Sequence, residues 1–179
     1  MQHTEHSIYL QPGEFHFTTA AATQIHTLLG SCVAISLWHP ERKIGGLCHF
    51  ALPRNPKPNE TALNGRYGDD SIKLFKHAVI KCGTSMHEYQ AKIFGGGNIQ
   101  GGKTVSVSTN GVALSPSIGE RNSAAALSYL LQENVPVLVA HVGEFGYRKL
   151  IFDVTTGCVW VKFTAMPATK NIDNLTGRA

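Results

Sequence analysis

The chain has 179 residues, 42% hydrophobic and 16% charged, with a formal net charge of +4. That length suits one domain over residues 1–179 with a sizeable core, and that composition excludes a disordered chain. The charge is mild and forms no long basic run, which excludes a nucleic-acid tract.

The polar start carries no apolar leader, and no stretch approaches membrane-spanning length, so no membrane insertion is expected. Cys32, Cys48, Cys82 and Cys158 are scattered without C-x-x-C spacing, which argues against a zinc knuckle, and the length argues against a disulfide-stapled mini-domain. A reducing, cytoplasmic location follows as the expectation, and it keeps the thiols free.

In chain order, residues 1–6 read as a frayed tail. Residues 7–10 and 14–19 are short strand candidates on either side of the Pro12-Gly13 turn. Residues 24–29 lead into Gly30-Ser31-Cys32, where glycine permits a sharp turn and a thiol follows at once. Residues 33–37 are apolar and β-branched, the composition of a buried strand. His39-Pro40-Glu41-Arg42-Lys43 is a polar turn, and residues 44–52 are a second apolar run that delivers His49. Two antiparallel strands joined by this turn bring Cys32 and His49 side by side.

An unperturbed thiol, with a pKa of roughly 8.5, holds little thiolate at neutral pH, so a nearby imidazole is what makes it useful. The imidazole can take the thiol proton and later give one to a leaving amine. Cysteine also packs as a small hydrophobe, and spacing alone leaves both readings of Cys32 open.

Residues 54–69, rich in Pro, Asn and Gly, are the longest loop. Following the His49 strand, they are either a flap over a substrate or a plain insertion. Asp70 is a candidate cap for a helix to about residue 81, with Ile72, Phe75, Val79 and Cys82 on one face. A strand over residues 90–94 comes next. Gly95-Gly96-Gly97-Asn98 and Gly101-Gly102-Lys103 miss the spacing of nucleotide-binding fingerprints. A loop whose glycines let backbone approach a substrate is the better reading. Ser117 and Glu120 form a capping box for a helix to about residue 133, with Ala124, Leu127, Leu130 and Leu131 on one face. Residues 137–142, 148–154 and 158–163 read as strands. Thr155-Thr156-Gly157 joins the last two as a hairpin, and Cys158 is assigned to packing. The polar tail, 167–179, is expected to be disordered. Two helices among many strands, without βαβ alternation, predict an α+β layered fold.

Thr27-Leu28-Leu29-Gly30-Ser31-Cys32-Val33-Ala34, followed by Gly45-Gly46-Leu47-Cys48-His49-Phe50-Ala51-Leu52-Pro53, resembles the signature of CheD, the chemoreceptor glutamine deamidases. The segment from Ala91 to Asn98, the helix start Ile118-Gly119-Glu120-Arg121-Asn122, and the strands around Arg148-Lys149 and Thr156-Gly157 extend the resemblance over roughly residues 8–164. It implies an α/β/β sandwich of mixed, mostly antiparallel sheets with two helices on one outer face, similar to the deamidating domain of the cytotoxic necrotizing factor toxins. It implies Cys32 as nucleophile, His49 as its partner and Thr27 as third member. The reaction implied converts glutamines of methyl-accepting chemotaxis receptors to glutamate and releases ammonia, with no cofactor and no metal. The chemotaxis phosphatase CheC is an implied partner. At His141 the family pattern tends to carry an acidic residue, so this chain departs from it.

Candidates for the donors to the tetrahedral oxyanion are the N–H of Cys32 and one near Gly30 or Ser31, since tight turns aim successive N–H groups together. Rival readings are a cysteine protease or transglutaminase with the same dyad, and a non-catalytic adaptor that only binds receptors. A metal site built from Cys32, Cys48, His49 and His39 is awkward, because Cys48 and His49 point to opposite strand faces.

Overall fold

The computed structural model describes residues 6–99, 104–108 and 111–167. Gly101-Gly102-Lys103 and nearly all of both expected tails lie outside these residues. The strands are β1 (His6–Leu10), β2 (Phe15–Thr18), β3 (Thr23–Leu29), β4 (Val33–His39), β5 (Ile44–Phe50), β6 (Gln90–Gly95), β7 (Thr104–Ser108), β8 (Gly111–Ser115), β9 (Val137–Val142), β10 (Gly146–Asp153) and β11 (Val159–Ala165). The helices are α1 (Gly68–Lys81) and α2 (Ile118–Gln132).

One sheet has four strands in the order β1-β3-β10-β11, and a second has five in the order β2-β5-β4-β6-β9. Both are mixed. The β1–β3 and β6–β9 pairs are parallel and the other pairs are antiparallel. Strands β7 and β8 form a separate hairpin. The expected α+β layering is present: α1 and α2 cover one face of the five-stranded sheet, and the four-stranded sheet covers the other. The burial of β4 and β5 on both faces follows from this position, and it explains why they read as unbroken apolar runs. No described helix is long and apolar enough to cross a membrane.

Three expectations need correction. Helix α1 starts at Gly68 with Tyr67 at its N-cap and no side-chain cap. Asp70 sits buried in the first turn, where it accepts from Asn55 Nδ2 at 2.7 Å and from the Asn64 N–H at 3.1 Å. It ties the long loop to the helix instead of capping it, at the end where the helix dipole favours a carboxylate. The capping box of α2 is present as expected. Its buried face, however, is Gly119, Asn122, Ala126 and Leu130, while Leu127 and Leu131 are exposed. The cause is close approach: a Cβ on Gly119 would collide with the Gly96 carbonyl, so this face can carry only small groups at its start. Cys158 is exposed, just ahead of β11, and not packed. The expected bend at Gly30-Ser31 is present without a left-handed φ at Gly30, where a Cβ would meet the Ile99 side chain at 3.2 Å. Left-handed freedom is used instead at Gly95 (φ 109) and Gly96 (φ 61).

Candidate active site

Alternation along three strands brings the site together. On β3, Ile25, Thr27 and Leu29 are buried and face the space between the sheets. On β4 and β5, Ala34 and Leu47 face the same space, while Val33, Ile35, Cys48 and Phe50 face the helices. His49, two residues after Leu47, therefore points between the sheets, as does Cys32, two residues before Ala34. Cys32 packs against that core and stays partly exposed. In the β4–β5 register Ala34 pairs with His49. Cys32 is thus the diagonal neighbour of His49, a relation that spans roughly 7–8 Å between backbones and that an imidazole and a thiol can bridge.

Thr27 reaches His49 from the opposite sheet. Its Oγ1 lies 2.8 Å from His49 Nδ1 and 2.9 Å from the Leu10 carbonyl oxygen. A hydroxyl has one hydrogen, and a carbonyl can only accept. Thr27 therefore donates to Leu10 and accepts from His49, which places the ring proton on Nδ1. The other nitrogen, Nε2, is buried and has no hydrogen-bond partner among the described residues. The ring is thereby held as a neutral imidazole with a free lone pair on Nε2.

Electrostatics reinforce this state. Burial pushes the His49 pKa down to about 4, against smaller opposing effects from the Leu10 backbone and Glu14. Burial likewise pushes the Cys32 thiol up, opposed by Arg66 and by the Cys32 N–H itself. At neutral pH the arrangement is a protonated thiol one diagonal step from a neutral imidazole, with no hydrogen bond between them in this structure. Cys48 differs. It is completely buried in the helix-facing core, and its thiol is pushed up to about 12.

The glycine segment abuts the turn. Gly96 N–H donates to the Cys32 carbonyl and Gly97 N–H to the Gly30 carbonyl, both at 2.8 Å. Asn98 N–H donates to Glu144 O at 2.8 Å. These backbone donors are committed to the protein, so Gly95, Gly96 and Gly97 support the Gly30-Ser31-Cys32 turn. The close fit explains the glycines, since a Cβ on Gly95 would collide with the Cys32 carbonyl. The long loop returns to the site as well, with the Ala51 and Leu52 N–H groups donating to Arg66 O at 2.9 and 3.1 Å. A surface cavity of about 530 Å³ is walled by Leu10 and Thr27, together with Tyr9, Gln11, His26 and Lys149 among others.

His141 is the acceptor of a 2.8 Å bond from Arg148 Nε, and Arg148 is fully buried over the Phe163 ring. Sequence reasoning missed the Leu10 carbonyl and Arg66. Leu10 contributes a backbone atom, which no residue type announces, and Arg66 has the sequence context of an ordinary loop cation. Among the described residues no group of three or more His, Cys, Asp and Glu side chains is placed to hold a metal ion.

The family described as CheD chemotactic sensory transduction matches residues 51–163, well over half of the chain and starting just past His49. Full-length comparison extends the likeness over Thr27, Cys32 and His49. A probable chemoreceptor glutamine deamidase CheD 3 of Dechloromonas aromatica is 45% identical over 158 residues, which is 88% of each chain. A probable chemoreceptor glutamine deamidase CheD 2 of Albidiferax ferrireducens is 42% identical, over 86% of this chain and 84% of that one. The corresponding protein of Pseudomonas savastanoi pv. phaseolicola is 39% identical, over 90% and 86%. Among solved structures, the Bacillus licheniformis hypothetical protein YfiH overlaps weakly, with a TM-score of 0.42 at 11% identity over 70% of this chain and 49% of that one. With the family match and relatives at this identity across nearly all of its length, the chain belongs to the CheD family.

Proposed function

We propose that this chain hydrolyses the side-chain amide of glutamines in chemoreceptors, with Cys32 as nucleophile, His49 as base and acid, and Thr27 holding the ring. One observation carries the reading: the 2.8 Å bond between Thr27 and His49 Nδ1, made by a hydroxyl already donating to Leu10. It supports a ring whose Nε2 is free to take the Cys32 proton. The names of the relatives support the substrate class.

The chemistry follows from two neutral partners. Nε2 takes the thiol proton as Sγ bonds to the carboxamide carbon, and the C=O electron pair moves onto oxygen. The N–H groups of Cys32 and Ser31 receive that oxyanion; losing one such donor typically costs ~10²–10³ in rate. When the intermediate collapses, the C–N bond breaks and Nε2–H gives its proton to the leaving nitrogen, which departs as ammonia. A thioester remains. Water then adds to it, passing a proton to Nε2. The C–S bond breaks, the sulfur recovers a proton, and glutamate leaves. The net change is amide plus water to carboxylate plus ammonium.

Three further parts belong to the proposal. The whole chain acts as one deamidase domain. The reaction takes place in the cytoplasm, where free thiols such as Cys32 persist. A CheC-type phosphatase competes with receptors for this chain, and adding one slows ammonia release.

The test is incubation with a receptor cytoplasmic fragment, read by intact mass and ammonia release. Each converted glutamine adds about 1 Da, and Cys32→Ala abolishes the gain. Chain cleavage or cross-linked products would transfer the dyad to a protease or a transglutaminase. Full biological effect from the Cys32→Ala protein would leave only an adaptor.

A further inference from the structure

Three successive carbonyls of the Cys32 turn are held by donors from outside it. Gly97 N–H holds the Gly30 oxygen and Gly96 N–H holds the Cys32 oxygen, each at 2.8 Å. Between them, Asn122 Nδ2 donates to the Ser31 oxygen at 3.0 Å. The same nitrogen donates to the Ala51 oxygen at 2.9 Å, just past the strand that carries His49. Both amide hydrogens are thereby used, one on each side of the site.

A peptide unit is planar, and in its trans form the N–H points opposite to the C=O. The plane joining Ser31 to Cys32 is therefore oriented by whatever holds the Ser31 oxygen. Asn122 holds it from behind, so the Cys32 N–H is aimed the other way. That N–H lies close to its own sulfur, where it works against the effect of burial on the thiol.

Asn122 is fully buried on the face of α2 that otherwise presents Gly119, Ala126 and Leu130. Its Oδ1 has no hydrogen-bond partner among the described residues. A buried acceptor left open costs stability, and packing alone gives no reason to keep an amide there.

We propose that Asn122 is a positioning residue: it clamps the Ser31 and Ala51 carbonyls and thereby aims the Cys32 N–H at the oxyanion of the deamidation step. The inference rests on Cys32 being the nucleophile. Asn122 acts through the two carbonyls it holds.

Two variants test it in the full chain. Asn122→Leu keeps the branched shape and number of heavy atoms and loses both donors; Asn122→Ser keeps a polar group that is too short to span both carbonyls. Two rates are measured: deamidation of a receptor fragment, and alkylation of Cys32 by iodoacetamide across pH, read on the Cys32 peptide. Alkylation forms no oxyanion, so it reports on the thiol alone. The expected result is a kcat lowered by ~10²-fold, the size of a lost oxyanion donor, with KM within about twofold of wild type and alkylation falling much less than kcat, since the displaced N–H only ceases to help the thiolate. Three results would overturn the proposal. One is a folded variant with kcat within about threefold of wild type. Another is alkylation falling in step with kcat, which would mean general loosening of the site. The third is failure of both variants to fold, which would make the amide a folding element only. Cys32→Ala runs alongside. If that protein still deamidates, the nucleophile assignment itself has failed, whatever Asn122 does.

Discussion

The two interlayer cores of this protein are built differently. Between the helices and the five-stranded sheet, Val33, Ile35, Leu37, Phe50, Phe75 and Ile93 dominate a large apolar layer, with His39, Ser71, Thr84 and Asn122 buried around it. Between the two sheets the layer is smaller, and Ile25, Leu29, Ala34, Leu47 and Phe152 share it with buried Thr27, His49 and Arg148. β5 serves both, turning Cys48 to the first layer and His49 to the second. One step along a pleated strand separates a thiol held inert at a pKa of about 12 from an imidazole held neutral for chemistry. Stability and reactivity are thus assigned to opposite faces of the same sheet.

The sharpest way to break this contrast is to remove each thiol in turn. Cys32→Ala is expected to lower deamidation by about 10⁴-fold or more while leaving the urea midpoint near that of wild type. Cys48→Ala is expected to keep the rate and to lose about 1–2 kcal/mol of stability, the cost of a small cavity in a close-packed layer. Ammonia release and urea denaturation of both proteins decide it. Loss of activity from Cys48→Ala at full stability would mean that the helix-facing layer takes part in the chemistry.

Thr27 sharpens the contrast from the opposite sheet. Thr27→Val removes the acceptor of the His49 Nδ1 proton and leaves the Leu10 carbonyl open. Expected is a fall in kcat of about 10- to 100-fold, the usual cost of a misplaced catalytic group, with Thr27→Ser restoring most of it. Steady-state kinetics on a receptor fragment measure both. An unchanged rate for Thr27→Val would reduce the hydroxyl to a structural bond between the sheets.

Much of this site is legible in the sequence, and the gaps have physical causes. Two apolar runs around a Pro-containing turn predict the β4–β5 hairpin, and the period of two puts Cys48 and His49 on opposite faces. That Thr27 stands across from His49 depends on β3 leaving the Cys32 turn into the other sheet, where it pairs with β1 and β10. Such pairing is long-range, and no local propensity encodes it; only the family resemblance points to Thr27. The face of α2 misleads because leucines usually mark the buried side of a helix. Here Gly96 and Gly119 come so close that small side chains and one amide fill the contact.

The sheet-facing layer also gives stability a pH dependence on the acid side, through His49. His49 is held at about 4, mainly by burial. Above its unfolded value of roughly 6.5 the ring is neutral in both states, and pH has no leverage through it. As pH falls from there towards 4, the unfolded chain takes up a proton that the fold refuses, so stability falls. The span corresponds to about 3 kcal/mol, lost between those two values and constant below them. Urea midpoints of wild type and His49→Gln between pH 7 and pH 4 measure it as the difference between two curves. Parallel curves would mean that the ring is more solvated than its burial indicates. kcat/KM should also fall as pH drops through about 4, when Nε2 can no longer accept a proton.

The smallest expected effect tests where the helix-facing layer ends. Leu127 and Leu131 resemble core residues by period, yet they stand 43% and 61% exposed on α2. Leu127→Gln should therefore change stability by no more than about 0.5 kcal/mol, because little apolar surface leaves a packed environment. One position earlier, Ala126 is fully buried beside Leu130. Ala126→Leu should cost about 1–3 kcal/mol, since close-packed neighbours must move to admit the added carbons. Thermal denaturation of the two single variants reads both. The reverse order would rotate α2 about its axis and withdraw Asn122 from the turn, so this modest pair of measurements also checks the seat of the clamp on Ser31.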